Sequence, residues 1–595
     1  MIADSSLIMS HTPLMTQNVA FNTKNSSVHT HHNGSTIMSA KWRLVCTSCG
    51  ANDLPTTRPL VACPNCDGTW LEPVFDYAQL APHLTERISK RRYSMWRLRE
   101  LLPLNDDQNR ITMGEGGTPL LHLKNLGLML GCPNLYLKDE RQGPTGSFKD
   151  RQASLAISVM KEHGIREAVV ASTGNVAIAY SAYATQAGIK LWAFLTSTVP
   201  SDKMREVALY GTEVVKVTAT YDRTKQIAAQ FAERKGLHLD RGIRSIAARE
   251  SMKTLSYEIA EDLGYLDQQA GRSNGAWRAP DWYFQAVSGG MGPVGVHKGF
   301  QELKLMGLIN KMPKIASVQA AGCAPMVHAW ENDSPIPIIV NHPRTRITTV
   351  ATGAPGVAYH MLYQAAKKHG GTFLGISDEE AFRTMHIMAK MDGISMEPAA
   401  ALACAGAINM VRQGTIKPHE TIVICCSGHT FPVEKHLLDE NWSHDLDLSE
   451  EAESSLSAPS EGLLASLEGL GRDVGRIAIV EDDPSASLLL RRILQAQGNY
   501  EIMEATDGAS GLELIRREQP DLVLLDLMMP EMDGYTVIEE LKKDPALHEI
   551  PVIVITAAHL NPSEKARLQG QTRSLFRKGN FVDSDLLADI DAVLG

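Results

Sequence analysis

Between about residues 73 and 440, short apolar runs rich in Val, Ile, Phe and Trp alternate with longer segments of helical period. The runs Glu167–Ala171, Leu191–Leu195, Glu213–Val217, Trp282–Val287 and Ile315–Gln319 predict strands. Strands alternating with helical patterns imply crossover connections, hence an α/β layered domain with largely parallel sheets. A sixth run, Ile422–Cys426, is apolar throughout, which predicts a strand buried on both faces that ends in the turn Ser427-Gly428-His429. Beyond residue 474 the rhythm repeats on a smaller scale, with Gly475–Val480, Asp521–Asp526 and Ile550–Thr556 predicting strands of a second α/β unit over 474–595. Residues 1–40 are polar and without period, and are expected to form a disordered tail. Asp445–Ser460 is dense in Asp, Glu and Ser and predicts a flexible acidic linker over 441–473.

Length and charge narrow the class. A chain of 595 residues is too long for one core and predicts three or more units. The formal charge of -10 is spread over both signs without a basic stripe, which argues against nucleic-acid binding. No apolar run approaches the roughly 20 residues needed to span a bilayer. The N-terminus has neither a basic segment nor a continuous apolar one, so it is not read as a signal peptide, and a cytoplasmic setting is expected. Met38 is an alternative start.

Four of the nine cysteines form a pattern: Cys46-x2-Cys49 and Cys63-x2-Cys66, separated by 13 residues, with Gly50, Pro64, Asn65 and Gly68 among them. Two such knuckles bring four thiolates to one tetrahedral zinc, and a site closed by four protein ligands is structural. The rival reading is a redox disulfide, for which one CxxC would suffice. Residues 41–72 are accordingly expected to be a zinc ribbon. The other cysteines (Cys132, Cys323, Cys404, Cys425, Cys426) lie in apolar segments, as reduced buried thiols do.

The most informative stretch is Gly143-Pro-Thr-Gly-Ser147-Phe148-Lys149-Asp150-Arg151, where a lysine follows a Gly/Ser turn at the start of an amphipathic helix. A helix N-terminus disfavours the ammonium, leaving a neutral amine suited to Schiff-base chemistry. Upstream lies Gly114-Glu-Gly-Gly-Thr-Pro-Leu120, and downstream Ala171-Ser-Thr-Gly-Asn175 opens a helical run. Val287-Ser288-Gly289-Gly290-Met291-Gly292-Pro293 follows a predicted strand and precedes a helix beginning near Val296, an arrangement that turns backbone N–H groups toward a phosphate. A plain tight turn would have the same composition. Taken together, 73–440 resembles the pyridoxal-phosphate (PLP) enzymes of fold type II, and most of all threonine synthase; many of its bacterial and archaeal members also carry an N-terminal zinc ribbon.

The resemblance implies a two-lobed catalytic domain with open sheets, a homodimer, and a small amino-acid substrate. It implies that Lys149 carries PLP, that Ser288, Gly289, Gly290, Met291 and Gly292 cradle its phosphate, and that Asn175 contacts its phenolic oxygen. Asn175 also reads as a helix N-cap. Ser427 corresponds to the hydroxyl at the ring nitrogen; a hydroxyl there leaves that nitrogen largely unprotonated, which suits elimination and replacement. Glu397, in Gly393-Ile-Ser-Met-Glu397-Pro398, matches a family Glu-Pro element, although a loop glutamate is commonly solvated. The implied reaction converts O-phosphohomoserine and water to threonine and phosphate. The chain departs from the family in having Gly289 and Gly292 where loop asparagines fall, and Arg249 displaced by one position. Arg244 and Arg249 are candidates for clamping a substrate phosphate, since guanidinium forks suit it; a pair of exposed arginines is the alternative. A replacement on phosphoserine, as in cysteate synthase, a serine or threonine deamination, and a non-catalytic amino-acid sensor stay open.

In the C-terminal unit each predicted strand ends in an oxygen ligand: Glu481 and Asp482 after the first, Asp526 at the end of the second, Thr556 at the end of the third. Strand ends share one edge of a parallel sheet, and clustered carboxylates there repel unless a hard cation such as Mg2+ joins them. The intervals from Asp482 to Asp526 (44 residues), to Thr556 (30) and to Lys578 (22) resemble those of response-regulator receiver domains, of flavodoxin-like (βα)5 fold. The resemblance implies phosphorylation of Asp526, Mg2+ held by Glu481, Asp482 and Asp526, and a switch through Thr556 and Lys578. Gly579 replaces the usual proline and Leu575 the usual switch aromatic. A histidine kinase or a small-molecule phosphodonor is the expected partner. A degenerate receiver serving only for dimerisation is the alternative.

Overall fold

A computed structural model describes residues 42–52, 54–429, 475–497, 500–558, 560–568, 570–578 and 583–594. The expected tail over 1–40 and the acidic linker over 441–473 lie outside the described residues.

Strands β1 (Trp42–Cys46) and β2 (Leu71–Phe75) pair antiparallel and carry the Cys-rich segment between them. The central region holds ten strands: β3 (Leu120–His122), β4 (Leu135–Asp139), β5 (Glu167–Ser172), β6 (Lys190–Thr196), β7 (Glu213–Val217), β8 (His238–Leu239), β9 (Trp282–Ala286), β10 (Lys314–Ala320), β11 (Thr372–Ile376) and β12 (Ile422–Cys426). They form two sheets. One is four-stranded, β7-β6-β5-β8, all parallel; the other is six-stranded, β11-β10-β9-β12-β4-β3, parallel except for β3. The C-terminal unit has β13 (Arg476–Val480), β14 (Glu501–Ala505), β15 (Leu522–Leu525), β16 (Val552–Thr556) and β17 (Ser574–Arg577) in the parallel order β14-β13-β15-β16-β17.

Apolar strands sit where they are covered on both faces. In β12, Ile422, Ile424 and Cys426 enter one core with Leu135, Phe284 and Leu402, while Val423 and Cys425 point into another with Tyr283, Phe300 and Leu255. In β13, Ala478 and Val480 face Leu512 and Ile538, whereas Ile477 and Ile479 face Leu494 and Leu586. Period-two alternation between two apolar layers is the reason such runs carry no polar face. Among the described residues no helix is long and apolar enough to cross a membrane.

Candidate functional site

The lysine loop is stitched to the end of β12. Phe148 N donates to the Ser427 carbonyl at 3.0 Å, His429 N to the Gly146 carbonyl at 3.0 Å, and Thr145 N and Oγ1 to the Asp150 carboxylate at 3.0 and 2.7 Å. These bonds aim Lys149, first residue of the helix Lys149–Glu162, into a cavity of about 500 Å3 between the two sheets. Burial pushes the Lys149 amine down to about 8, opposed by the carboxylates of Glu397 and Asp240. Near neutral pH an appreciable share of this lysine is therefore the nucleophilic amine.

Opposite it, β9 ends in the Gly-rich loop, and the following helix starts at Met291, five residues before the sequence-based expectation near Val296. Pro293 is admitted because the first turn of a helix requires no N–H there. Gly290 adopts φ +83, a conformation costly for other residues, and a Cβ on Gly292 would collide with the Gln285 side chain. The backbone can thus approach an anion at a helix N-terminus. The Gln285 side chain packs against Gly292 under this loop, with Nε2 buried and without an acceptor. Volume, lysine amine and N–H cradle fit PLP: Lys149 would hold its carbonyl carbon, and Ser288, Gly289, Gly290, Met291 and Gly292 its phosphate.

Asn175, Ser427 and Glu397 converge on one carboxylate. Asn175 Nδ2 donates to Glu397 Oε2 at 2.8 Å and Ser427 Oγ to Glu397 Oε1 at 3.0 Å. Asn175 opens the helix Asn175–Ala187 but makes no capping bond with its side chain; Gly174 precedes it, and Ser172 Oγ accepts from Ala177 N at 3.1 Å instead. Its amide is engaged at the cavity wall instead of at the helix end. Glu397 is 3% exposed, so the solvated reading does not hold. Sequence reasoning missed Lys203, whose Nζ donates to Asn175 Oδ1 at 3.2 Å and stands 4.0 Å from Glu397. It also missed Tyr221, Lys225, Asp240 and Thr352, which line the same cavity; Thr352 Oγ1 bonds Ser288 Oγ. None belongs to a motif, and only the folded loops bring them in.

The two arginines part company. Arg244 lines the lysine cavity. Arg249 does not: it is buried, stacks on Trp70 at 4.0 Å, and donates to the carbonyls of Leu71 and Ile243 at 2.6 and 3.0 Å. A position one turn along the helix Ile246–Met252 points it toward β2 and away from the cavity.

The Gly114–Leu120 motif works by holding Arg151. Thr118 Oγ1 donates to Glu140 Oε1, Gly117 N to Glu258 Oε1 at 2.9 Å, and Arg151 forks onto both carboxylates, with Nη1 and Nη2 each 2.7 Å from Glu258. Glu115 accepts from Trp96 Nε1, Ser154 Oγ and Tyr183 OH at 2.6 to 2.7 Å. Both networks fix the helix that begins with Lys149.

The four ribbon sulfurs meet. Cys46 Sγ and Cys66 Sγ are 3.6 Å apart, Cys49 Sγ and Cys63 Sγ 3.7 Å, and all four lie within 4.8 Å of one another. A tetrahedron with Zn–S of about 2.3 Å has edges of about 3.8 Å, whereas a disulfide needs about 2.05 Å. In the C-terminal unit Glu481, Asp482 and Asp526 cluster within 4.8 Å. Lys578 Nζ donates to Asp526 Oδ2 at 2.6 Å and Glu481 Oε1 at 2.7 Å, and these bonds outweigh burial to hold its pKa above the ordinary value. Thr556 is buried at the end of β16, Leu575 is exposed, and a Cβ on Gly534 would strike the Asp526 carbonyl.

A family model described as pyridoxal-phosphate dependent enzyme matches residues 111–428, and one described as response regulator receiver domain matches 477–587. Over 364 residues the chain is 31% identical to a threonine synthase of Methanocaldococcus jannaschii, covering 61% of this chain and 86% of that protein. It is 29% identical over 399 residues to a threonine synthase of Methanosarcina acetivorans (67% of this chain, 94% of that protein). A threonine synthase of Mycobacterium bovis is 31% identical over 333 residues (56% and 86%).

Proposed function

Since the chain belongs to the pyridoxal-phosphate dependent enzymes, has threonine synthases among its relatives, and carries a receiver domain, we propose that it converts O-phosphohomoserine and water to threonine and phosphate under control of that receiver. The observation that carries the substrate reading is the charge of the cavity: beside Lys149 it presents Lys225 and Arg244, with Lys203 at its Asn175 edge. Cations here outnumber the lining carboxylates, Asp240 and Glu397, and suit a substrate bearing both a carboxylate and a phosphate.

PLP, when bound, withdraws electrons from the carbons of the attached amino acid and so acidifies their C–H bonds. The chain supplies the rest. Lys149 Nζ, as the neutral amine that its burial-lowered pKa favours, takes a proton from carbon and, once protonated, returns it. Arg244 and Lys225 hold the departing phosphate. Glu397 keeps Ser427 and Asn175 oriented through one bond to each. The loop bonds around Lys149 hold its amine toward the cavity, where water adds at the β carbon.

The four cysteines are proposed to hold a structural zinc, and Glu481, Asp482 and Asp526 a Mg2+ at which Asp526 accepts phosphate from a histidine kinase or small phosphodonor. Turnover of O-phosphohomoserine, O-phosphoserine, L-serine and L-threonine by the PLP-loaded chain tests the substrate. Preference for O-phosphohomoserine supports the proposal; preference for O-phosphoserine, or keto-acid formation from threonine, replaces it.

A further inference from the structure

Met129 belongs to two cores. Half-buried at the end of the helix Lys124–Met129, it packs against the catalytic core that holds Leu126, Met388 and Met396, and also against the receiver core that holds Leu490, Ile493 and Leu494. The contact is wider than this one side chain. The receiver helix Pro484–Gln497 lies against both Lys124–Met129 and the helix Asp378–Asp392 of the catalytic domain.

Each end of this contact leads to a site. On the receiver side, Pro484–Gln497 begins just after the acidic pair Glu481 and Asp482. Glu481 Oε1 accepts from Lys578 Nζ at 2.7 Å and from Asp483 N at 3.2 Å. Asp483 holds the first turn, its Oδ1 accepting from Ser485 N at 2.8 Å and its carbonyl from Ser487 N at 3.0 Å. On the catalytic side, Asp392 accepts from Asn125 N and Leu126 N, both at 3.1 Å, and Asn125 Nδ2 donates to the Met391 carbonyl at 2.6 Å, so the two platform helices are bound together. The helix Asp378–Asp392 stops at Gly393, in the left-handed region with φ +69. The chain then passes through Ile394 and Met396, both buried in the core that Met129 joins, and reaches Glu397. That carboxylate holds Ser427 and Asn175.

We propose that the face formed by Met129 and the helix Asp378–Asp392 is the receiver's docking surface, and that phosphorylation of Asp526 acts on Glu397 through it. Lys578 bonds both Asp526 and Glu481, so a phosphoryl group on Asp526 that engages Lys578 alters the bonds at Glu481 and with them the turn that starts Pro484–Gln497. A shift of that helix is passed on by close-packed side chains, since a packed contact repacks as a unit. Leu575, exposed where receivers usually carry the switch aromatic, leaves the aromatic route without its ring.

The test is backbone hydrogen exchange of the full PLP-loaded chain with Mg2+, with and without acetyl phosphate, which gives its phosphoryl group to an Asp526 oxygen and leaves as acetate. Exchange over residues 378–397 should change at least about threefold in the wild-type chain and stay the same in Asp526→Ala. Met129→Glu puts a charge into the shared contact. In that variant both the exchange response over 378–397 and the response of turnover to acetyl phosphate should vanish, whereas Met129→Leu should keep both. Wild-type PLP absorbance and thermal unfolding show that Met129→Glu is folded; if it is not, the wild-type and Asp526→Ala exchange decide alone. Unchanged wild-type exchange over 378–397, or a turnover response that survives in Met129→Glu, overturns this route while leaving receiver control standing. Wild-type turnover indifferent to acetyl phosphate sinks the receiver control proposed above, on which this inference rests, and the route with it.

Discussion

Ser427 Oγ donates to Glu397 Oε1 across 3.0 Å, and the other oxygen of the same buried carboxylate takes the Asn175 amide at 2.8 Å. Glu397 therefore ties the end of β12, in the six-stranded sheet, to the helix that begins at Asn175 and follows β5 of the four-stranded sheet.

Replacing Glu397 by Leu keeps much of the volume but removes both acceptors. The bonds to Ser427 and Asn175 are lost, and about 1–3 kcal/mol of positioning goes with them. The expected result is a kcat reduced roughly 10- to 100-fold with cofactor still bound, read from steady-state rates and visible absorbance. Unchanged kcat would make the carboxylate a bystander.

The amine of Lys149 has its pKa lowered to about 8, so its neutral fraction grows as pH passes through 8 from below. The rate of PLP capture by the apoprotein should rise across that interval and level above it, as stopped-flow absorbance measures. In Lys149→Ala the absorbance of the lysine-bound cofactor should be missing at every pH.

Arg151 is buried between Glu140 and Glu258. Arg151→Met strands two buried carboxylates and should destabilise the domain by about 3–5 kcal/mol, seen as a lowered Tm or insoluble expression. Although burial raises the pKa of Glu258, Arg151 and Lys138 prevail and hold it below its ordinary value of 4.5. Their stabilisation is complete above that value and is lost as pH falls through the folded-state pKa, so acid should unfold this domain in step with protonation of Glu258.

The ribbon should contain one zinc per chain by metal analysis. Cys46→Ser should lose it, and β1 and β2 should become protease-sensitive, because the proposed metal would join both knuckles. Full zinc content in that variant would contradict a four-thiolate site.

Acetyl phosphate with Mg2+ should change turnover or oligomer size in the wild-type chain and leave Asp526→Ala unaffected. Identical responses would reduce the receiver to an appendage.

Much of this was legible in the sequence because its signals are local. Apolar runs buried on both faces, such as Ile422–Cys426, state their own strand, and CxxC spacing states its own geometry. The lysine and the glycine cradle are contiguous motifs, and the strand-end acids of the receiver follow from parallel pairing. What the sequence did not disclose depends on contacts over long separations. Glu397 looks solvated until β12 and the helix from Asn175 close over it, Lys203 reaches Asn175 across 28 residues, and Arg249 turns toward Trp70. The helix start at Met291 was missed because glycines and a proline there read as loop, although Pro is at home in a first turn.

The central claim is that Lys149 drives elimination of phosphate followed by addition of water to carbon. Turnover of O-phosphohomoserine in H2(18)O tests it most directly. The account predicts 18O in the threonine hydroxyl, none in the released phosphate, and loss of both products in Lys149→Ala. Label in the phosphate, or threonine formation undiminished without Lys149, would contradict it.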